Sequence, residues 1–265
     1  RYMRNYQPFN FDGLHAFYRY RMMAYRQWRD MYHAGELNDE QSQFFERRPA
    51  ETLYDIEKDP HELNNLAGDP AYADKLVEMR KLLQQQVKSM PDLSFLPEPE
   101  LLAEGRDNPT AFGQEKKQEI EQLINIADLS LRAFPEARSQ IAKALSSEKP
   151  WERYWGLITC SSFDGQAAPF YKKAAAMAAS DGERLVRVRA AEFLGLAGEA
   201  DPRPVIMDVL RQVSDPIEAN LILNSAALLQ DSKPGYEFDL EEFKTKEWAT
   251  VKGNLSKHRL EYLNP

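Results

Sequence analysis

From residue 113 onward, apolar side chains recur three and four residues apart, which predicts helices alone. Ile120, Leu123, Ile124, Ala127 and Leu131 share one helical face, and Phe134, Ala137, Ile141 and Leu145 share the next. Further helices are predicted over Trp151–Phe163, over Phe170–Ala179, and through Val186, Ala190, Phe193, Leu194 and Ala197. Asp201-Pro202 and Asp215-Pro216 open two more, because aspartate caps the first N–H groups and proline fits the first turn. A last helix is predicted between Leu240 and Leu260.

The front of the chain reads differently. Arg1–Tyr6 alternates large and polar residues and predicts a strand, stopped by Pro8 and turned at Asp12-Gly13. Phe17, Tyr20, Ala24, Trp28 and Met31 then lie on one face of a helix over Leu14–His33, with Gly35 at its C-cap. Asn38-Asp39-Glu40 opens a short helix toward Phe45, and Glu51–Ile56 predicts a second strand. After Asp69-Pro70, the stripe Tyr72, Leu76, Met79, Leu83 and Val87 predicts a helix ending near Met90-Pro91. Four prolines and Gly105 within residues 91–110 predict an irregular Pro-rich linker.

The helices of the second part pair up, with first helices starting near 116, 151, 184 and 216. A fixed period in this range predicts a stacked array, an α-solenoid. Val188-Arg189-Ala190-Ala191 followed by Leu194-Gly195 resembles the first helix of a HEAT repeat. That resemblance implies a polar ladder along the stack, with Arg189 facing Asp181, Asp201 or Asp215 and Arg153 at the equivalent point of the preceding repeat. Glu218 stands where the next arginine belongs, so the ladder is expected to be incomplete.

The most specific motif is the run from Glu51 to Leu66, Glu-Thr-Leu-Tyr-Asp-Ile-Glu-Lys-Asp-Pro-His-Glu-Leu-Asn-Asn-Leu. Asp59-Pro60 closes a turn, Glu62 is spaced to complete a capping box with Asp59, and Asn64-Asn65 suits a left-handed residue. The strand ending in Leu53-Tyr54-Asp55, the Asp59-Pro60-His61-Glu62 turn and Asn65-Leu66 before a helix resemble the C-terminal subdomain of the sulfatase family, most closely its heparan N-sulfatase (sulfamidase) branch. Arg1–Tyr6 is similar to the strand that precedes this subdomain. The resemblance covers about residues 1–90, and the repeats resemble a helical extension carried by some bacterial members. Tyr54, Asp55, Asp59, Pro60, Glu62 and Asn65 are read as scaffold.

Charge sharpens the division. The chain of 265 residues carries a net charge of −8. Residues 1–34, with six arginines and two aspartates, are at +4 and hold ten of the 29 aromatics, leaving −12 for the rest. An acidic array disfavours nucleic acid and sulfated glycans. A basic, aromatic start suits them better, because arginine matches sulfate oxygens and aromatic faces stack on sugar rings. Arg4, Tyr6 and His15 are therefore the substrate-contact candidates. Burial of these aromatics against another domain is the competing reading, and single-stranded nucleic acid is the least favoured.

The resemblance implies a parent enzyme that hydrolyses sulfate esters or N-sulfates, using calcium and a formylglycine made within Cys/Ser-x-Pro/Ala-x-Arg. The single cysteine reads Cys160-Ser161-Ser162-Phe163-Asp164, while Ser214 and Ser232 open runs ending in Glu218 and Tyr236, so none qualifies. One cysteine also excludes an internal disulfide, and His15, His33, His61 and His258 have no metal-ligand spacing. No eighteen-residue apolar run suggests a membrane span.

The expected fold is mainly α: a small α+β sulfatase C-terminal subdomain (1–90), a linker (91–110), and about four HEAT-like helix pairs (111–265). The expected role is the non-catalytic C-terminal part of a sulfatase, inactive alone and without cofactor of its own. Its partners would be the catalytic domain before residue 1, a sulfated glycan reached through the parent, and a protein on the repeats. The parent would be periplasmic or secreted. The alternative is a free-standing HEAT-like interaction scaffold, or a bare spacer.

Overall fold

A computed structural model describes residues 1–250 and 255–264. Strand β1 (Tyr2–Arg4) is followed by α1 (Phe17–Tyr20), α2 (Met23–Ala34) and α3 (Asp39–Ser42), and then by β2 (Glu51–Leu53). The strands pair antiparallel, Tyr2 opposite Leu53, Met3 opposite Thr52 and Arg4 opposite Glu51. They are shorter than the pattern predicts. The helix predicted over 14–33 is split, because Met22 adopts an extended backbone (ψ 128°). Tertiary contacts explain the break: the Tyr20 hydroxyl donates to Gly13 O at 2.5 Å, and Phe17 stacks on His258 with centroids 3.5 Å apart. Gly35 ends α2 with φ +70°, as its position predicts. Asn38 and Gln41 form a capping box that starts α3.

Helix α4 (Ala73–Ser89) follows a 3-10 turn capped by Asp69. Residues 91–110 carry more structure than a connector. They form a 3-10 turn over Leu93–Phe95, helix α5 (Glu98–Glu104) and the start of α6 (Pro109–Glu115). Phe95 is 3% exposed and accepts a hydrogen bond from Trp155 Nε1 at 2.8 Å, which ties this stretch to the helices beyond it.

Those helices are α7 (Lys117–Ala127), α8 (Phe134–Ala144), α9 (Pro150–Ser161), α10 (Tyr171–Ser180), α11 (Arg184–Leu196), α12 (Arg203–Gln212) and α13 (Pro216–Asp231). The predicted last helix becomes a 3-10 turn over Glu241–Phe243, α14 (Glu247–Thr250) and α15 (Leu255–Leu263); part of that predicted span lies outside the described residues. Helices α7, α9, α11, α13 and α15 pack in sequence into one row, and α8, α10 and α12 pack along it as a second layer. Row helices α7, α9, α11 and α13 start at 117, 150, 184 and 216, within a residue of the periodicity. One continuous core of Leu, Ile, Ala and aromatic side chains runs through both layers. Among the described glycines of these helices Gly195 allows the closest approach, since a Cβ there would lie 2.7 Å from Leu229 and 2.8 Å from Pro202.

Polar ties cross the array with partners other than those expected. Arg153 on α9 forms a bidentate pair with Asp181 (2.8 and 2.6 Å). Arg184, not Arg189, reaches the next row helix, through Glu218 at 2.8 Å on both arms. Arg187 bonds Asp208 on α12 at 2.7 Å. Arg189 turns instead to Glu192 (2.6 Å) and the Tyr154 hydroxyl (2.8 Å). Asp201 bonds its neighbour Arg203, and Asp215 caps α13. Arg153, Arg184 and Arg187 thus tie neighbouring helices, while Arg189 turns back to Tyr154 and Asp201 pairs locally.

Candidate functional site

The pleat of the paired strands decides where the front residues point. Tyr2, Arg4, Glu51 and Leu53 share one face, by register and by the alternation of strands. There the Tyr2 hydroxyl donates to Glu51 at 2.9 Å, and Arg80 of α4 grips the same carboxylate through Nε (2.9 Å) and Nη2. Arg4 reaches further. Its Nε donates to Asp128 (3.3 Å), Nη1 to the carbonyls of Asn5 (2.6 Å) and Ala50 (2.9 Å), and Nη2 to Ala127 O (2.9 Å) and Ser130 Oγ (2.6 Å). A guanidinium has five N–H donors, and all are met inside the chain. The expectation that Arg4 offers its fork to sulfate gives way: with its side chain 2% exposed, Arg4 bolts the hairpin to the end of α7.

Tyr6 and His15 are likewise engaged. The Tyr6 ring meets Phe95 edge-on at 4.9 Å and carries the Arg4 guanidinium 4.7 Å above it. Burial, with Asp128 nearby, pushes its hydroxyl up to about 12. His15 stacks on Tyr262 of α15 at 3.7 Å and on Tyr20 at 5.3 Å. Burial, aided by the cations Arg259 and Arg29, lowers its pKa to about 4. Around it the Tyr262 hydroxyl donates to Asp231 at 2.5 Å, and Arg259 bonds both Asn224 (2.9 Å) and the His15 carbonyl. Burial raises the Asp231 carboxyl above its ordinary range. This cluster joins α1 to the last helices, so its polar groups are turned inward.

The motif from Glu51 to Leu66 is scaffold with one change of detail. Asn65 Oδ1 accepts from Leu53 N (3.0 Å) and Ala67 N (3.1 Å), and Asp59 accepts from Asn64 N at 2.8 Å. The left-handed residue is Glu62 (φ +57°), while Asn65 stays at φ −71°. The Glu62 carboxylate pairs with Arg1 at 2.5 Å, so no capping box closes on Asp59. Asp55 bonds Lys58 at 2.9 Å. Tyr54 N donates to Arg1 O at 2.8 Å, extending the ladder past the strand end.

Two open clefts flank Arg47. The larger, about 940 Å³, lies where the end of α2 and Phe45 face the ends of α11 and α13. Its walls carry Phe9, Phe11, Tyr32, His33 and Phe45, with Arg47 and Lys233 as cationic side chains and Glu46 and Asp231 as acids. Tyr32 donates to Glu46 at 2.8 Å, and burial raises its hydroxyl to about 12. Rings beside cations can seat a sugar carrying an anionic group. The smaller, about 510 Å³, opens on the other face of the hairpin. Neither was legible in the sequence, because the walls of the larger come from segments as far apart as residues 9 and 234, and those of the smaller from residues 3 to 65, with no local pattern.

Cys160 is fully buried in the α9 core, and burial drives its thiol pKa up, which keeps it protonated and unreactive. Among the described residues no three His, Cys, Asp or Glu side chains are placed to hold a metal ion. The calcium and formylglycine implied by the sulfatase resemblance thus find no fitting donor set in the described chain. Among the described residues, no helix is long and apolar enough to cross a membrane.

The surface offers a further sign. Tyr18 (70% exposed), Met23 (79%), Met22, Ile56, Leu63, Val77, Leu82 and Met90 are exposed large apolar residues of the front region, against Leu255 alone among the described residues of the array. A stretch of 103 residues is 41% identical to an ulvan-active sulfatase of Formosa agariphila. The chain contains a sulfatase-related region. The matched stretch covers 38% of this chain but only 17% of that protein. No family model matches the chain, and no solved structure matches it.

Proposed function

We propose that this chain is the non-catalytic C-terminal part of a sulfatase. The parent would hydrolyse sulfate esters or N-sulfates of a sulfated glycan in the periplasm or outside the cell, using calcium and formylglycine in a separate domain. The observation that carries this reading is the 41% identity to a named sulfatase, in a chain whose front region leaves its apolar side chains uncovered. Such a surface suits a permanent neighbour, and the catalytic domain is the occupant we assign to it. The 940 Å³ cleft would form part of the rim that a glycan crosses.

Substrate choice narrows to polymers. The motif at Asp59-Pro60-His61-Glu62 favours a heparan N-sulfatase-like parent, while the relative's name points to ulvan. The helix pairs are read as a HEAT-like solenoid that adds an interaction surface. A second reading, a free-standing HEAT-like scaffold, draws on the array's own continuous core.

Sequencing the DNA upstream of codon 1 tests the choice. An open frame encoding Cys/Ser-x-Pro/Ala-x-Arg and calcium-binding aspartates is expected. An in-frame stop just upstream overturns the sulfatase-tail reading in favour of the scaffold. The full parent should release sulfate from a sulfated polysaccharide, and this chain alone should release none.

A further inference from the structure

The corner between α1 and α2 gathers exposed groups that the rest of the chain leaves unanswered. The chain turns there because Met22 is extended, and Tyr18, Arg21, Met22, Met23 and Arg26 are all exposed. Met23 and Arg26, three residues apart, lie on one face of α2. The Arg21 guanidinium lies over the Phe17 ring at 5.5 Å, and that of Arg29 over Tyr20 at 4.4 Å. Among the described residues none of Arg19, Arg21, Arg26 and Arg29 has a carboxylate within 4 Å. Asp30 is the one acid among residues 17–34, against these four arginines. Carboxylates of the neighbouring segments are taken: Asp12 pairs with Arg48 at 3.2 Å, Glu261 of α15 with His258 at 3.2 Å, and Glu46 accepts from Tyr32 at 2.8 Å. The corner is therefore cationic and apolar at once, and open to solvent.

The residue types say what such a surface meets. Arg, Met and Tyr are over-represented in protein interfaces, while Lys, Asp and Glu are under-represented. Residues 1–57 hold eight arginines and no lysine. A guanidinium is more weakly hydrated than an ammonium, so arginine suits a contact that closes over it. Other exposed apolar residues of the front region lack this company. Val77 and Leu82 stand on α4 among Lys75, Glu78 and Lys81, with Lys75 paired to Glu78 at 2.6 Å. A glycan would be held by polar groups and ring faces and would leave Met22 and Met23 uncovered. We infer that the α1–α2 corner is where this chain docks on the catalytic domain of its parent, with Met22 and Met23 filling an apolar hollow and Arg21 and Arg26 facing carboxylates at its rim. The identity of the partner rests on the proposed sulfatase reading. The matched stretch is 17% of the related sulfatase, which leaves most of that protein to supply such a face. The exposed, unpaired groups stand on geometry alone.

Hydroxyl-radical footprinting read by mass spectrometry tests this on two proteins, this chain and the full-length parent. Tyr18, Met22 and Met23 should label readily in this chain and about tenfold more slowly in the parent, the factor expected for one anchoring residue at an interface centre. Met90, at the end of α4 and 53% exposed, is a control of the same chemistry and should label alike in both. Arg21→Glu combined with Arg26→Glu should restore the labelling of Met22 and Met23 in the parent. The same pair should leave the Tm of this chain unchanged, because neither side chain is paired within it. Equal labelling of the corner in both proteins overturns the inference while a sulfate-releasing parent keeps the sulfatase reading. A complete reading frame that encodes no catalytic domain overturns both. Protection that grows with the concentration of this chain alone assigns the corner to a second copy. Protection that needs anionic vesicles or a sulfated polysaccharide assigns it to a lipid surface or a glycan. Each of these last two results, or protection that survives the double variant, overturns the inference.

Discussion

Residues 1–90 and the helices after residue 117 achieve order by different means. In the array, Leu123, Ile124, Ile141, Ile222 and Leu223 are fully buried, and each row helix contacts the next. In the front region α2 buries no residue, and α4 buries Leu76 alone. Beside the apolar contacts of Phe9 and Tyr6 with the core, that region is held by polar ties: Arg4 to Asp128 and its neighbours, Arg80 to Glu51, and Gln84 to Asp128 at 2.9 Å. The lesson is that a segment with too little apolar burial of its own can be fastened to a self-sufficient core by a few saturated arginines, leaving its apolar residues for another surface.

The largest test of this contrast is truncation. Leu123→Ala in the array should cost about 2–5 kcal/mol and lower Tm steeply, since it opens a cavity in close packing. Leu82→Ala on exposed α4 should stay within about 0.5 kcal/mol. Equal losses in a denaturant titration would abolish the distinction.

Arg4→Ala comes next. It removes five hydrogen bonds and leaves the Asp128 carboxylate half-answered, a change worth about 3 kcal/mol for breaking a buried pair. Hydrogen exchange should accelerate at β1, β2 and α4 while α9 and α11 stay protected. Uniform acceleration would show that the front region is integral to the array core.

Arg184→Ala should be milder, about 1 kcal/mol, because its guanidinium is partly exposed although Glu218 is buried. A loss as large as that of Arg4→Ala would put the array's polar ladder on a par with the clasp.

A last test is a pH dependence at the junction. His15 binds its proton less readily when folded (about 4 against 6.5), so the unfolded chain takes up more protons between those values. His15 therefore favours folding above pH 6.5, and that contribution fades as pH falls toward 4. Asp231, whose carboxyl is raised by burial, acts in the opposite sense as pH rises through its own range. His15→Phe keeps the stacking on Tyr262 and should flatten the decline in Tm between pH 6.5 and 4. An unchanged decline would assign it to other groups.

Much of the array was legible before any coordinates. Apolar period and Asp-Pro caps located its row helices to within a residue, because both signals act over one or two turns. Asn65 as a turn residue was legible for the same reason. The ladder partners were not: Arg184 and Arg189 lie on the same helix, and which one reaches Glu218 depends on how α11 and α13 pack. Tyr20 and Phe17 broke a helix that their own spacing favoured, because burial against Gly13 and His258 outweighs local propensity.

The chain's local chemistry, then, set its helices, its turn at Asp59 and its division into a basic aromatic front and an acidic array. Only the tertiary structure turned Arg4 from a surface fork into a buried bolt and gathered Asn5, Arg48, Thr52 and Asn65 around one cleft. Periodicity and capping are properties of neighbouring residues. A guanidinium's acceptors, 46 and 124 residues away, exist only after the segments have packed.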